Sequence, residues 1–232
     1  ITTEKYDFQI VPGLCYIEKQ GIVISDVPKK MQEVCELKIP WDVIPPSQYR
    51  AHHWHCFDNL KIRAPYATIF TNLGCPYNCS YCIVNALNSK PCFRPRSIDA
   101  VMKDLNLLHN HYGVRNIRIL DNVFTFKSDY VNELCDRIIF SKLHLNMWAY
   151  ARIETIRDSQ LLRKMKIAGV NWLAYGIESA DESIREGVAK SMENKKIEQV
   201  LEWTSSAGIH IVGNFMFGLP HDSMESMNRT LE

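Results

Sequence analysis

No apolar run in the 232 residues approaches the roughly 20 needed to cross a membrane as a helix. Charge of one sign is equally scarce. Lys and Arg number 27 against 26 Asp and Glu, a net charge of +1 with no dense basic block, so nucleic acid gripped by its phosphates is not an expected partner. No leader-like stretch is seen either. Without a secretory context, the eight cysteines read as reduced thiols and metal ligands rather than a disulfide framework. A soluble cytoplasmic protein is the expectation. What is present is ordinary globular composition: 46% hydrophobic and 23% charged residues support a sizeable core, at a length suited to one domain and part of another. The chain opens on Ile1 rather than Met and closes at Glu232 inside a helical pattern, so a piece of a longer protein, cut at both ends, is expected.

Residues 1–40 differ from the rest. The strand-forming run Phe8–Ile17, the turn Glu18-Lys19-Gln20-Gly21 and the run Ile22–Ile24 predict a hairpin. Ile39-Pro40-Trp41-Asp42-Val43-Ile44-Pro45-Pro46 begins a linker expected over 41–66, because prolines remove backbone donors. Within it His52, His53 and His55 raise the question of a second metal site, with packing of Trp54 and solvated imidazoles as the preferred reading.

From Ala67 onward, strands and helices alternate. Strands are expected at 67–73, 116–120, around 143–149, at 170–177 and at 209–217. Helices with apolar stripes fall between them, capped by Ser97, Ser128 and Asp158 and closed by Gly113, Gly169 and Gly208. Asp222-x-x-Glu225 has the form of a capping box for one more. Such alternation implies parallel strands with right-handed crossovers. Five units in about 150 residues suit a barrel, whose active site lies at the C-terminal strand ends.

The chemistry concentrates in Gly74-Cys75-Pro76-Tyr77-Asn78-Cys79-Ser80-Tyr81-Cys82, which directly follows the first strand. Iron–sulfur clusters are held by cysteine thiolates, usually four. Three thiolates spaced C-x3-C-x2-C can hold three irons of a cubane and leave the fourth open to a small molecule. Tyr81 would shield such a cluster from water. A structural zinc site would want four Cys or His ligands, commonly in separated pairs.

This motif resembles the C-x3-C-x-aromatic-C signature of radical S-adenosylmethionine (radical SAM) enzymes, and the barrel resemblance covers residues 67–232. It implies a partial TIM-type (βα)6 barrel stopped after about five strands, with a [4Fe-4S] cluster on Cys75, Cys79 and Cys82. The open iron would bind S-adenosylmethionine, whose reductive cleavage gives a 5′-deoxyadenosyl radical. The Asp121-Asn122 pair after strand two is expected to meet the ligand's amino group, where family members often read Asp-Asp. Arg152 would pair its carboxylate, and an ion pair with Glu154 is the competing reading. Tyr175-Gly176-Ile177-Glu178-Ser179 resembles the family's Gly-Ile-Glu-Ser ending. Glu178 there would accept from ribose or amine, and Gly176 would admit a close backbone approach. Phe215 and Met216, before Gly218-Leu219-Pro220, would flank the adenine.

Residues 1–40 resemble the tail of the α/β cobalamin-binding domain that precedes the barrel in one large radical SAM class. That points to cobalamin in the full-length protein and to methyl transfer onto a small molecule or natural product, with flavodoxin or ferredoxin as electron donor. A methylthiotransferase and a metal-stabilised binding module are the alternatives.

Overall fold

The computed structural model describes residues 8, 11, 13–19, 21–26, 34–84 and 91–232. They belong to two compact units, residues 1–33 and 34–232. In the first, β1 (Cys15–Glu18) and β2 (Gly21–Ile24) pair antiparallel, from Cys15 opposite Ile24 to Glu18 opposite Gly21. The expected hairpin is present, with a shorter first strand. At its base the Ser25 hydroxyl donates to the Val11 carbonyl (2.5 Å), and Gly13 turns back at φ +76°. Residues 9, 10, 12 and 20 of that prediction lie outside the described residues.

In the second unit, residues 41–66 pack on the elements that follow, with Trp54 against Trp148 and Trp172. Trp41 is buried in the core and its indole N–H donates to Asp104 (3.1 Å). Next come β3 (Tyr66–Ile69), a short antiparallel pair β4 (Asn72–Leu73) and β5 (Arg94–Pro95), and α1 (Ile98–Asn110). Then follow β6 (Asn116–Ile119), α2 (Ser128–Phe140), β7 (Asn146–Ala151), α3 (Ser159–Ile167), β8 (Val170–Glu178), α4 (Glu182–Gly187), α5 (Asn194–Ser206), β9 (His210–Phe215) and α6 (Met224–Leu231). The main sheet is parallel, in the order β3-β6-β7-β8-β9. Strands that neighbour each other in chain order, with no reversal, are the wall of a barrel rather than a doubly wound sheet.

Alternation along each strand sets the two faces. Ile117 and Ile119, Met147 and Ala149, and Leu173 and Tyr175 enter the core that also takes Leu105 and Leu108 of α1, Leu134 and Ile138 of α2, and Leu162 and Met165 of α3. Their alternates face the lumen. Four departures from the sequence expectation have local causes. The first strand breaks at Phe70 because β4 swings away to pair with β5. The third begins at Asn146, although Leu143 and Leu145 are buried in the core before it. Lys127, not Ser128, precedes α2, since Val131 N–H already bonds the Lys127 carbonyl. The capping box of α6 is made by Ser223 and Ser226, while Asp222 ties back to Gly218 N–H.

Candidate functional site

All the βα loops emerge at one end of the sheet, and the cysteine loop is pinned there from three sides. The first pin is Asp121, buried at the end of β6. Its carboxylate accepts from Thr71 N–H (2.7 Å), Asn72 N–H (3.3 Å), the Asn72 amide (2.5 Å) and the Thr71 hydroxyl. Burial still pushes its pKa up to about 6, against the pull of those donors. The second is Gly74, at φ +90°. A Cβ there would lie 2.4 Å from Cys92 Sγ and 2.8 Å from the Cys92 carbonyl, so only glycine fits. Cys92 N–H in turn donates to the Cys75 carbonyl (3.0 Å). The third is Ser80 N–H, which bonds the Val188 carbonyl (3.2 Å) beyond α4.

The thiols of Cys75, Cys79 and Cys82 open on one cavity of ≈210 Å³, walled by the ends of β7, β8 and β9. Arg152 enters from the end of β7. Its Nη1 donates to Cys79 Sγ (3.0 Å), its Nη2 pairs Glu154 (2.5 Å), and its guanidinium lies 3.9 Å from the centre of the Tyr77 ring. A cation against a thiol favours thiolate, the form that binds metal. Burial pushes the Cys75 thiol up, opposed by the Tyr77 backbone and by Arg152. Across the cavity Glu178 is buried at φ +70°, where the β8–β9 register shifts. Its Oε1 accepts from the equally buried Lys190 Nζ (2.6 Å). Burial, and next the Glu178 carboxylate, raise the Tyr81 phenol. A Cβ on Gly176 would lie 2.5 Å from both Glu178 Oε1 and Lys190 Nζ, so the missing side chain is the space the ion pair occupies.

A profile of the Radical SAM superfamily matches residues 69–232. The chain belongs to the radical SAM superfamily. Among curated relatives it is 29% identical over 222 residues to an uncharacterized methyltransferase of Pyrococcus horikoshii, covering 95% of this chain and 46% of that protein. Its fold is shared with the radical SAM methyltransferase TsrM of Kitasatospora setae, solved with cobalamin and a [4Fe-4S] cluster (TM-score 0.72, 18% identity, 97% of this chain and 44% of that one). It is also shared with OxsB, a cobalamin-dependent radical SAM enzyme solved with aqua-cobalamin and S-adenosylmethionine (TM-score 0.77, 17% identity, 97% and 32%). The chain thus spans less than half the length of each of these relatives.

The cavity wall in this radical SAM superfamily member includes Asn122, Arg152, Gly176 and Glu178 from the sequence-predicted set. Asn122 also reaches the Gly74 carbonyl (3.4 Å). Asp121 is not on that wall; both its oxygens accept from Thr71 and Asn72 and tie the start of the cysteine loop to the end of β6. Phe215 and Met216 also lie off the wall, 47% and 36% exposed at the end of β9.

Sequence reasoning missed Lys190 and Asn214, which line the cavity. A lysine in a loop reads as solvated. The available signal was Glu178, an acid ending an apolar strand and therefore in need of a buried partner.

The donor set fits a cluster: three thiols from one loop around one cavity, with a guanidinium against one of them. Among the described residues no three His, Cys, Asp or Glu side chains gather tightly enough for a single metal ion. His55 lies by the other end of the sheet, buried and bonded to the Asn146 carbonyl (3.0 Å). His52 stacks on Trp54, and His53 precedes the short turn at Trp54–Cys56. No helix of the described residues is long and apolar enough to cross a membrane.

Proposed function

We propose that this chain is the S-adenosylmethionine-cleaving barrel segment of a radical SAM methyltransferase that acts on a small molecule and works with cobalamin in the full-length protein. One observation carries the reading: Cys75, Cys79 and Cys82 share a cavity with Arg152, Asn122 and the Glu178–Lys190 pair. Family membership supports the cluster and S-adenosylmethionine, and the name of the Pyrococcus relative supports methyl transfer. The shared fold with TsrM and OxsB extends the proposal to cobalamin, to which no residue of this cavity is assigned. A bound [4Fe-4S] cluster would supply the electron that cleaves the sulfonium of S-adenosylmethionine.

The chain's own residues supply the rest. The three cysteines would hold the cluster. Arg152, spanning Cys79 and Glu154, would steady the thiolate and offer its planar fork to the ligand carboxylate. The Glu178 carboxylate, already met by Lys190 at Oε1 and by the Tyr81 phenol, would accept from a ribose hydroxyl or the ammonium, a charge-assisted bond. Asn122 takes over the acceptor role expected of Asp121. Phe215 and Met216, exposed beside Glu178 through the Met216 N–H bond to its carbonyl (2.8 Å), would flank the adenine. A flavodoxin or ferredoxin would deliver the electron.

Anaerobic reconstitution should give about four iron and four sulfide per chain. With a reductant it should release 5′-deoxyadenosine, and with cobalamin and substrate a labelled methyl group should leave S-adenosylmethionine. Cys79→Ala should lose both cluster and 5′-deoxyadenosine. Retention of either contradicts the ligand assignment.

A further inference from the structure

Beneath the cysteine cavity one register level runs unbroken across the sheet. Thr68 of β3 is opposite Arg118 of β6, Arg118 opposite Trp148 of β7, Trp148 opposite Trp172 of β8, and Trp172 opposite His210 of β9. Ile117, Ile119, Met147, Ala149 and Leu173, which alternate with these residues, enter the core against the helices, so this level faces the lumen. The next level up carries Tyr150 opposite Ala174, and Tyr150 also lines the cysteine cavity. Two residues of strand separate levels by about 7 Å. Arg118 thus lies one level below a wall residue of that cavity and two below Arg152, beneath the small residues Ala174 and Gly176.

Arg118 differs from the other inward arginines. Arg96 pairs Asp104, Arg152 pairs Glu154, and Arg185 donates to the Ser179 and Met192 carbonyls. Among the described residues the Arg118 guanidinium lies against ring faces, 4.4 Å from the centre of Trp148 and 5.6 Å from that of Tyr150. Among the described residues it enters no ion pair. Among the described residues its Nε is buried without a hydrogen-bond partner, as are those of Arg96, Arg152 and Arg185, but those three have polar partners at Nη; Nε1 of Trp172, on the same level, is also unpartnered. Ring faces offset only part of the cost of desolvating a cation, and buried donors in native proteins ordinarily find acceptors. Two such donors share one level of the lumen, among the packed rings of Trp54, Trp148 and Trp172 and one level below a wall residue of the cysteine cavity.

We propose that Arg118 anchors an oxyanion, carboxylate or phosphoryl, of the substrate, with the substrate's adjoining apolar part against Trp148 and Tyr150 and its reacting end directed at the cysteine cavity. The word substrate rests on the function proposed above; anion binding at Arg118 does not. A planar guanidinium suits both oxyanions, and it makes charge-assisted bonds that a neutral isostere cannot replace.

The test uses the full-length protein and tryptophan fluorescence, with benzoate, phenylphosphonate and neutral benzyl alcohol as probes. One or both anions should quench saturably below about 10 mM, the better one naming the oxyanion, and benzyl alcohol should not. Arg118→Met should weaken the response by about tenfold or more. Arg118→Lys, which keeps the charge without the fork, should fall between. Arg163→Met, on the exposed outer face of α3, should match wild type. Thermal melting monitors the fold; if Arg118→Met fails to fold, Arg118→Lys decides, weaker binding supporting the proposal and unchanged binding overturning it. The proposal is overturned if neither anion binds wild type, if benzyl alcohol binds as well, or if Arg118→Met binds like wild type. Failure to form 5′-deoxyadenosine while anion binding still depends on Arg118 would sink the proposed function and leave this site standing.

Discussion

Gly176 and Glu178 show how little room the site leaves at the scale of single residues. A methyl group on Gly176 would fall on both ends of the Glu178–Lys190 pair. Gly176→Ala should therefore separate two buried charges and weaken S-adenosylmethionine binding by about tenfold or more, read by equilibrium dialysis, with cluster content unchanged. His55 offers a test by pH. Burial lowers its pKa to about 4, outweighing the Asn146 carbonyl, so the folded chain keeps it neutral. The unfolded chain binds a proton there near pH 6.5, so stability should fall as pH drops from about 6.5 to about 4 and level off below. Asp121, raised to about 6 by burial, acts in the opposite sense and gains stability as pH falls through that value. His55→Asn, compared with wild type by denaturant titration at several pH values, isolates the first effect. It should remove a pH-dependent loss of about 3 kcal/mol. An unchanged slope would contradict a buried neutral imidazole. At this scale the spacing of the three cysteines made legible that they would meet, and they line one cavity. The bonds of Asp121 to Thr71 and Asn72 were not legible, because nothing local reveals that the chain folds back on its carboxylate there.

At the scale of elements the strands were the most readable part, because each carries an outward apolar face that the core must cover. Helix starts were less so. Ser97 and Asp158 cap as their type suggests, the first accepting from Ala100 N–H, the second from Gln160 and Leu161 N–H. Ser128 is already inside its helix, where the Lys127 backbone carbonyl accepts from Val131 N–H and no side chain caps, and Asp222 yields to Ser223, whose hydroxyl accepts from Ser226 N–H. Helix α4 escaped prediction: it is short, and Arg185 within it ties together the segments just before and just after it. Arg185 is fully buried and donates to the Ser179 carbonyl (2.5 Å), the Met192 carbonyl (2.7 Å) and Asn194 Oδ1 (2.7 Å). Its own carbonyl accepts from the N–H groups of Val188 and Lys190. It thereby shapes the loop that brings Val188 to the cysteine loop and Lys190 to Glu178. Arg185→Met should cost about 3 kcal/mol by leaving buried carbonyls unpaired. It should also lower S-adenosylmethionine affinity, seen by chemical denaturation and equilibrium dialysis. Loss of neither would show that the loop is ordered by other contacts.

At the scale of the whole molecule, strands in sequential order bring every βα loop to one rim, which is why residues as distant in sequence as Cys75 and Asn214 share a cavity. The alternation of elements made that rim readable from the sequence. The lumen was not, because Arg118, Trp148 and Trp172 become neighbours only through the register of three strands. The central claim is a cluster held by three cysteines whose remaining iron accepts S-adenosylmethionine within this cavity. The most direct measurement is electron paramagnetic resonance of the reduced, reconstituted protein with and without S-adenosylmethionine. The account predicts a reduced-cluster signal whose g-values shift on adding the ligand. A signal indifferent to S-adenosylmethionine, or zinc in place of iron after reconstitution with both metals, would contradict it.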